Sequence, residues 1–385
     1  MRILHVFPVS EIGGAENVSL NIMRYRERAG ISHCAVLVAD EVGTLGEELT
    51  RIDVPWEQVS RGRMRSPGSL WRACLGLRRA ARRLHADVVL ANSAQGFLYA
   101  RLATLGLGLP VALYYMAVPQ RRFWKNHPLD LLMMLARPSV IFTASRRIGQ
   151  ILTGLGLPNV LPVHHGTPIP PRSPDALAHV NFTLLQHGVK PDDPVVVLPG
   201  RLQPWKGQQI LIDAWPEVLK VFPNAHAILL GGALFGLDTD YPDLLHRRIA
   251  ELSLTKHVHL LGHQAIQGWL ERAAVVVHAS TEPDPFPMVG IEAMAACRPL
   301  ITNTLSGTCE VLRHGIDGVI VSPNDPAALA RAIVDLLNDQ ARASSLAESG
   351  FRRYQEGCMP LHMVRPIEAT LAARWCRPET EGLTA

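Results

Sequence analysis

Short apolar runs recur along the chain, and most are followed by a stretch in which apolar residues return every three or four positions. In the first half the runs Arg2–Val9, His33–Ala39, Asp87–Ala91, Pro110–Tyr115, Ser139–Ala144 and Asn159–Val163 read as strands. The stretches Ala15–Arg28, Pro67–Leu84 and Gln95–Leu105 read as the helices between them. From Gly166 to Pro194 the texture changes: Pro168, Pro170, Pro171, Pro174 and Pro191 stand among polar residues and predict turns and a connection. A second series of strands then follows at Pro194–Leu198, Ala225–Leu230, His257–Leu261, Ala274–His278, Pro299–Ile301 and Gly318–Val321. Its helices are Gly207–Phe222, Tyr241–Ser253, Met288–Cys297 and Pro326–Leu337. The tail adds a helix-capable stretch, Pro360–Trp375, and its last ten residues are expected to fray.

Strands alternating with helices in two successive series predict an α/β protein of two Rossmann-like, doubly wound domains. The expected boundaries are 1–170 for the first domain, 171–193 for a linker region, 194–358 for the second domain and 359–385 for a C-terminal helix and tail. A length of 385 residues agrees with two cores. The cleft between two such domains is the default place for a ligand.

Composition supports a soluble globular chain, with 48% hydrophobic and 19% charged residues. The net charge of +4 hides an asymmetry, because residues 1–170 carry 20 Lys/Arg against 11 Asp/Glu while residues 171–385 carry 18 against 23. Much of the basic excess lies in Arg61, Arg63, Arg65, Arg72, Arg78, Arg79, Arg82 and Arg83. In that segment Trp71, Leu75, Leu77 and Leu84 are placed to face the body of the protein. A solvated helix face is one reading, and a patch for anionic lipid or an anionic acceptor is the other. No nucleic-acid module or basic stripe interleaved with aromatics is present, which argues against a nucleic-acid partner. The six cysteines are scattered without metal-ligand spacing and read as reduced thiols. No apolar run is long enough to suggest a membrane span, the longest candidate, Leu129–Phe142, being broken by Arg137 and Pro138. A cytoplasmic protein is expected, with peripheral contact at the inner face of the membrane left open.

Three segments carry candidate chemistry. The first, Ser280-Thr-Glu-Pro-Asp-Pro-Phe-Pro-Met-Val-Gly-Ile-Glu-Ala-Met-Ala295, follows a strand and opens a helix. Pro287 suits a first helical turn, and unpaired amides there offer a place for diphosphate or sugar hydroxyls. Asp284 and Glu292 can accept hydrogen bonds from ligand hydroxyls, although spacing alone equally fits an acidic cap and a solvated glutamate. The second, Gly200-Arg-Leu-Gln-Pro-Trp-Lys-Gly207, leaves a strand and enters a helix. Its Arg201 fork and Lys206 point charge can neutralise a departing diphosphate. The third, Gly13-Gly14-Ala15-Glu16, follows the first strand without the third glycine of a dinucleotide fingerprint.

The acids eight apart, Asp284 and Glu292, resemble the E-x7-E motif of the GT4 glycosyltransferases of the GT-B fold, with Asp in place of the first Glu and Pro287 where Gly is common. Gly200–Gly207 resembles the G-R-L-x-x-x-K-G motif of the same family without a departure. The resemblance implies that Asp284 contacts the donor sugar, Glu292 holds the ribose, and Arg201 and Lys206 bind the phosphates. It brings Gly200, Phe286, Met288 and Val289 to the donor as well. Gly262 and His263 stand where such proteins meet the nucleobase through backbone groups, and Gly13 and Gly14 stand in the N-terminal loop that closes over phosphate. The tail over 359–385 is expected to cross back to the N-terminal domain.

Two positions depart further. Met116 stands at or near the place of a common N-domain histidine facing the donor sugar; Tyr115 can offer a hydroxyl there or lie in the core. His164 and His165 are read as structural. The activity implied is hexosyl transfer, with retention, from a nucleotide diphosphate sugar to a glycan, lipid-linked or small-molecule hydroxyl, with no metal or other cofactor, in envelope or exopolysaccharide glycan synthesis. The rivals are a non-catalytic nucleotide-sugar binder, motivated by Asp284, Pro287 and Met116, a nucleotide-sugar epimerase, and a nicotinamide-dependent oxidoreductase, against which the missing glycine fingerprint argues.

Overall fold

The computed structural model describes residues 1–61, 66–119, 135–232 and 240–376. It divides into two compact units: Met1–Gly166 joined by the stretch from Pro360, and Thr167–Met359.

Chain order in the first unit is β1 (Arg2–Phe7), α1 (Gly14–Arg24), β2 (Ser32–Val38), α2 (Gly43–Arg51), β3 (Trp56–Val59), α3 (Pro67–Arg83), β4 (Val88–Ala91), α4 (Ala94–Ala103), β5 (Val111–Tyr115), β6 (Ile141–Thr143), α5 (Arg146–Gly154) and β7 (Val160–Pro162). The seven strands form one sheet in the order β3-β2-β1-β4-β5-β6-β7, every pair parallel. The chain therefore winds outward from β1 on one side and restarts at β4 on the other, which puts the switch point between β1 and β4. The central strands are buried on both faces, and for that reason they read as mainly apolar runs rather than alternating ones.

The second unit runs α6 (Pro174–Gln186), β8 (Val195–Pro199), α7 (Gln208–Val221), β9 (His226–Leu230), α8 (Tyr241–Glu251), β10 (Val258–Leu260), α9 (Ile266–Arg272), β11 (Val275–Val277), α10 (Met288–Ala295), β12 (Leu300–Asn303), β13 (Val319–Val321), α11 (Pro326–Asn338) and α12 (Gln340–Gly357). Its six-stranded sheet has the order β10-β9-β8-β11-β12-β13, again all parallel, so the switch point lies between β8 and β11. One face of this sheet builds a continuous core with α7, α8 and α11, centred on Trp215, Leu211, Leu229, Val277 and Ile333.

A last helix, α13 (Pro360–Trp375), belongs to the first unit. Met363, Val364, Ile367 and Leu371 are buried, and Glu368 is held inside by the backbone amide of Arg28 at 3.0 Å and by His33 Nε2 at 3.2 Å.

Several expectations are corrected here. The stretch 171–193 is not a bare linker, because it contains α6. Ser173 caps that helix by accepting from the Ala176 amide, and Pro174 occupies the first turn, where its missing N–H is harmless. The helix lies against α9 so closely that Gly268 has the Ala176 carbonyl oxygen 2.6 Å from where a Cβ would stand. Trp71 does not face the body of the protein but is 65% exposed, because α3 turns Ala73, Cys74, Leu77, Ala80 and Ala81 inward. Arg63, Arg65 and the first part of the apolar run Leu129–Phe142 lie outside the described residues, as does most of the tail expected to fray.

Each unit holds a buried histidine pair. In the first, His5 Nε2 lies 2.9 Å from His33 Nδ1, and burial followed by the charge of His33 holds His5 well below the usual imidazole range. In the second, His226 Nδ1 meets His259 Nε2 at 3.1 Å, with the ring of His187 edge-on to His259. Burial, and then the neighbouring His226, His187 and His257, lower His259 from 6.5 to about 4. Between those two pH values the unfolded chain takes up a proton that the folded one resists, so stability is full above about pH 6.5 and falls as pH drops toward about 4. For His259 alone the complete loss is on the order of 3 kcal/mol. Urea unfolding at pH 7 and pH 5 is expected to show lower stability at pH 5 and a smaller difference in His259→Phe; equal differences in the two proteins would contradict the assignment.

Candidate functional site

The two charged motifs leave adjacent strands of the second sheet at its switch point, the crevice that open parallel sheets reserve for ligands. Gly200 to Gly207 follow β8, and Ser280 to Pro287 follow β11. Pro204–Lys206 form a single 3-10 turn that ends on Gly207 in the left-handed region at φ 76°. A Cβ on Gly207 would stand 1.9 Å from the Ala279 carbonyl oxygen, so glycine is needed twice over, for its conformation and for the close approach. That approach lets the Thr281 amide donate to the Trp205 carbonyl at 2.8 Å. The second loop is pinned from its other side, where the Asp284 amide donates to Leu305 and the Gly307 amide to Asp284, at 3.0 and 2.8 Å.

So held, Lys206 Nζ donates to Asp284 Oδ2 at 2.6 Å. The same oxygen lies 3.1 Å from His278 Nε2 and 3.4 Å from Ser280 Oγ. Asp284 is 6% exposed, and burial by itself would raise its carboxyl, but the Lys206 charge and the His278 contact outweigh burial and hold it well below the usual carboxylate range. It is an ionised, internally paired carboxylate and not a solvated cap.

Glu292 is placed differently. It is the fifth residue of α10, half-buried, and has no hydrogen-bond or ion-pair partner among the described residues. Loss of solvation pushes its carboxyl up to about 7. The helix it sits on begins after Pro287, with no side chain capping its first amides. Phe286 and Val289 are buried at that start, and Met288 is half-buried.

The other expected residues fall as follows. Arg201 is half-buried directly beyond β8, with its carbonyl accepting from Gln208 Nε2 at 2.8 Å. Gly200, Gly231 and Gly262 follow β8, β9 and β10, three neighbouring strands, and are laced together: the Gly200 amide bonds Leu230, and the Gly231 amide bonds Gly262. At Gly231, with φ 149°, a Cβ would meet the Gly200 carbonyl oxygen at 2.0 Å. Gly262 and His263 are exposed beyond β10. Gly13 and Gly14 belong to the first unit, where the Gly13 amide donates to Glu16 Oε2 at 3.0 Å and Gly14 is exposed with open space at its Cβ. Tyr115 lies in the core at 1% exposure, and Met116 after it is half-buried. His165 is buried edge-on to Tyr114.

Sequence reasoning missed His278, Ser280 and Thr302. His278 Nδ1 meets Thr302 Oγ1 of β12 at 3.0 Å, and Ser280 Oγ meets His278 Nε2 at 2.9 Å. The available signal was a histidine ending a strand one residue before a small-residue turn, and it has meaning only once the neighbouring strand is known.

Two all-parallel, doubly wound units, with loops bearing glycine or charge at their switch points, define the class of proteins built from two Rossmann-like units. Comparison with known proteins narrows this. Residues 183–353 match the model of "Glycosyl transferases group 1", and residues 13–166 match that of a "Glycosyl transferase 4-like domain". The chain belongs to the GT4 glycosyltransferases and has their GT-B fold. D-inositol 3-phosphate glycosyltransferase of Nocardia farcinica is 32% identical over 158 residues, 40% of this chain and 35% of that protein. A GDP-mannose-dependent alpha-(1-6)-phosphatidylinositol monomannoside mannosyltransferase of Mycolicibacterium smegmatis is 29% identical over 168 residues, 41% of this chain and 42% of that one. The match thus spans less than half the length of either relative. Among solved structures, Anabaena Alr3699/HepE in complex with UDP-glucose superposes with a TM-score of 0.84 at 26% identity, covering 97% of this chain and 100% of the other. Sucrose-phosphate synthase of Thermosynechococcus elongatus shares the fold at 17% identity, with a TM-score of 0.77 over 97% of this chain and 100% of that chain.

Gly207→Ala is expected to force the two loops apart and to cost on the order of 1–3 kcal/mol in urea unfolding. A variant as stable as the parent would show that the contact with Ala279 does not hold the loops.

Proposed function

We propose that this chain is a retaining glycosyltransferase moving a hexosyl group from a nucleotide diphosphate sugar to a hydroxyl of a glycan, lipid-linked or small-molecule acceptor in envelope or exopolysaccharide glycan synthesis. The observation that carries the reading is the meeting of Lys206 and Asp284 at the switch point, with Glu292 on the helix that follows. The UDP-glucose complex of Alr3699/HepE supports a UDP-sugar as the first donor to try.

In this reaction the bond from the anomeric carbon to the diphosphate oxygen breaks as the acceptor oxygen bonds on the same face. The acceptor proton passes to the departing diphosphate. Arg201 and Lys206 stabilise the growing negative charge without calling on a metal, and the amides after Pro287 add their dipoles. Asp284 and Glu292 orient the sugar and the ribose, and Gly13, Gly14, Gly262 and His263 supply backbone contacts.

One observation favours a second reading, a non-catalytic nucleotide-sugar binder. Tyr115 is buried in the core, so the position near Met116 gains no hydroxyl in place of the family's usual histidine. A thermal-shift screen of UDP-, GDP- and ADP-sugars followed by transfer and donor-hydrolysis assays separates the two. Glu292→Ala and Lys206→Ala are each expected to lower transfer at least about tenfold while remaining folded, the loss of a charged contact worth on the order of 1.4 kcal/mol. Near-normal rates in both would defeat the site assignment, and binding with neither transfer nor hydrolysis would establish the second reading.

The reading also places the acceptor side at a membrane. On α3, Arg72, Arg79 and Arg82 are exposed and meet no carboxylate among the described residues, beside the exposed Trp71. Among the described residues of α3, Arg83 is paired with Glu57, at one end of a groove of about 430 Å³ that Arg72 and Arg79 also line. Each such arginine near an anionic surface contributes about 1 kcal/mol. Co-sedimentation is expected with vesicles of phosphatidylcholine mixed with phosphatidylglycerol, to weaken with salt, and to fall at least about tenfold in Arg72→Glu/Arg79→Glu. Equal binding to pure phosphatidylcholine would remove the proposal.

A further inference from the structure

The buried face of the site contains a chain of side chains that none of the donor contacts above requires. Thr302 on β12, His278 just beyond β11 and Ser280 two residues later are all buried, at 0%, 4% and 0% exposure. They run from Thr302 Oγ1 through His278 Nδ1, at 3.0 Å, and from His278 Nε2 to both Ser280 Oγ and Asp284 Oδ2, at 2.9 and 3.1 Å. The backbone at both ends is tied down too: the His278 amide donates to Ile301, and Asn303 Nδ2 donates to the Ser280 carbonyl at 2.8 Å.

The tautomer follows from the neighbours. Asp284 is an ionised acceptor, and an imidazole lone pair facing it would be repelled, so Nε2 carries the proton and Nδ1 accepts from the Thr302 hydroxyl. Oδ2 of Asp284 is then met by Lys206, His278 and Ser280, whereas Oδ1 receives no protein donor among the described residues. A diphosphate bound in the crevice competes with Asp284 for Lys206. His278, tied to Thr302, and Ser280, whose carbonyl is tied to Asn303, are fixed from behind and keep their grip on the carboxylate.

We propose that His278, fixed by Thr302, is a positioning residue: it holds Asp284 by Oδ2 while Lys206 turns to the diphosphate, and so presents Oδ1 to a hydroxyl of the donor sugar. This rests on the glycosyl-transfer reading and deepens it. It assigns to His278 no contact with substrate, and its effect is on the sugar and not on the nucleotide.

The test compares UDP with UDP-glucose as titrants against the full chain, in the parent, His278→Phe and His278→Gln. In His278→Phe, affinity for UDP is expected to stay within about twofold, while the gain in affinity from UDP to UDP-glucose is lost and kcat falls at least about tenfold. His278→Gln, which keeps an N–H near the Nε2 position, is expected to recover most of both. A merely structural histidine would weaken UDP and UDP-glucose alike. A second measurement needs no donor: imidazole 15N chemical shifts in the free protein are expected to show His278 protonated on Nε2, with that signal moved in Asp284→Asn. A proton on Nδ1, or a His278→Phe variant that still prefers UDP-glucose as the parent does, would overturn the proposal. If the parent binds neither UDP nor UDP-glucose, the UDP-sugar reading fails, and the tautomer measurement still decides the inference.

Discussion

The carboxylate of Asp284 is buried, and a buried charge is costly unless an opposite charge and hydrogen bonds meet it. The rest of the C-terminal site follows from meeting that demand. Lys206 reaches Asp284 only because the turn Pro204–Lys206 lies on the loop after β11, and the turn lies there only because Gly207 has no side chain to strike Ala279. These two loops are far apart in the chain. They become neighbours because β8 and β11 are adjacent in the sheet while their connecting helices lead away in opposite directions. The topology opens a crevice, and the ion pair forms where the crevice opens.

The two acids of the site are shifted in opposite directions. Asp284 is ionised and has three donors on one oxygen, whereas Glu292, half-buried and without a partner among the described residues, is raised to about 7. Environments that push two carboxyls apart in this way fit them for different tasks. Asp284 is a fixed charge, held on one oxygen by Lys206, His278 and Ser280. Glu292 meets no donor among the described residues, so its charged form carries an uncompensated loss of solvation.

Most of the sheet was legible from sequence because parallel strands buried on both faces read as runs such as Val195–Leu198 and Val275–Val277. The motif residues were legible for the same reason, since they stand at fixed distances beyond those runs. What escaped notice depends on tertiary context. The prolines of 168–191 suggested a linker, yet Ser173 and Pro174 together form a helix start. Strand β3 is four residues long and only partly buried, too short for its period to show against the helices beside it. Trp71 pointed the wrong way because an aromatic in an amphipathic helix is presumed to face the core. His278 carried only the signal of a histidine at a strand end: its contacts are with Thr302 and Asp284, which lie twenty-four residues and six residues away.

The two units distribute polar chemistry unequally. At the switch point of the first, between β1 and β4, Glu16 is turned back to the Gly13 amide and the loop offers backbone and open space at Gly14. At that of the second, side-chain charges are set by a network reaching into β12. The first unit is completed only by the end of the chain, since α13 places Glu368 against His33 and the Arg28 amide and fills the core with Ile367 and Leu371. The chain leaves this unit at Gly166 and returns at Pro360, and at that passage the Thr167 amide donates to Cys358 while the Tyr354 hydroxyl donates to the Thr167 carbonyl. A mutation in α13 would act on the loops of the first unit through its core, and the ion pair at Lys206 and Asp284, built wholly from the second unit, would be left in place.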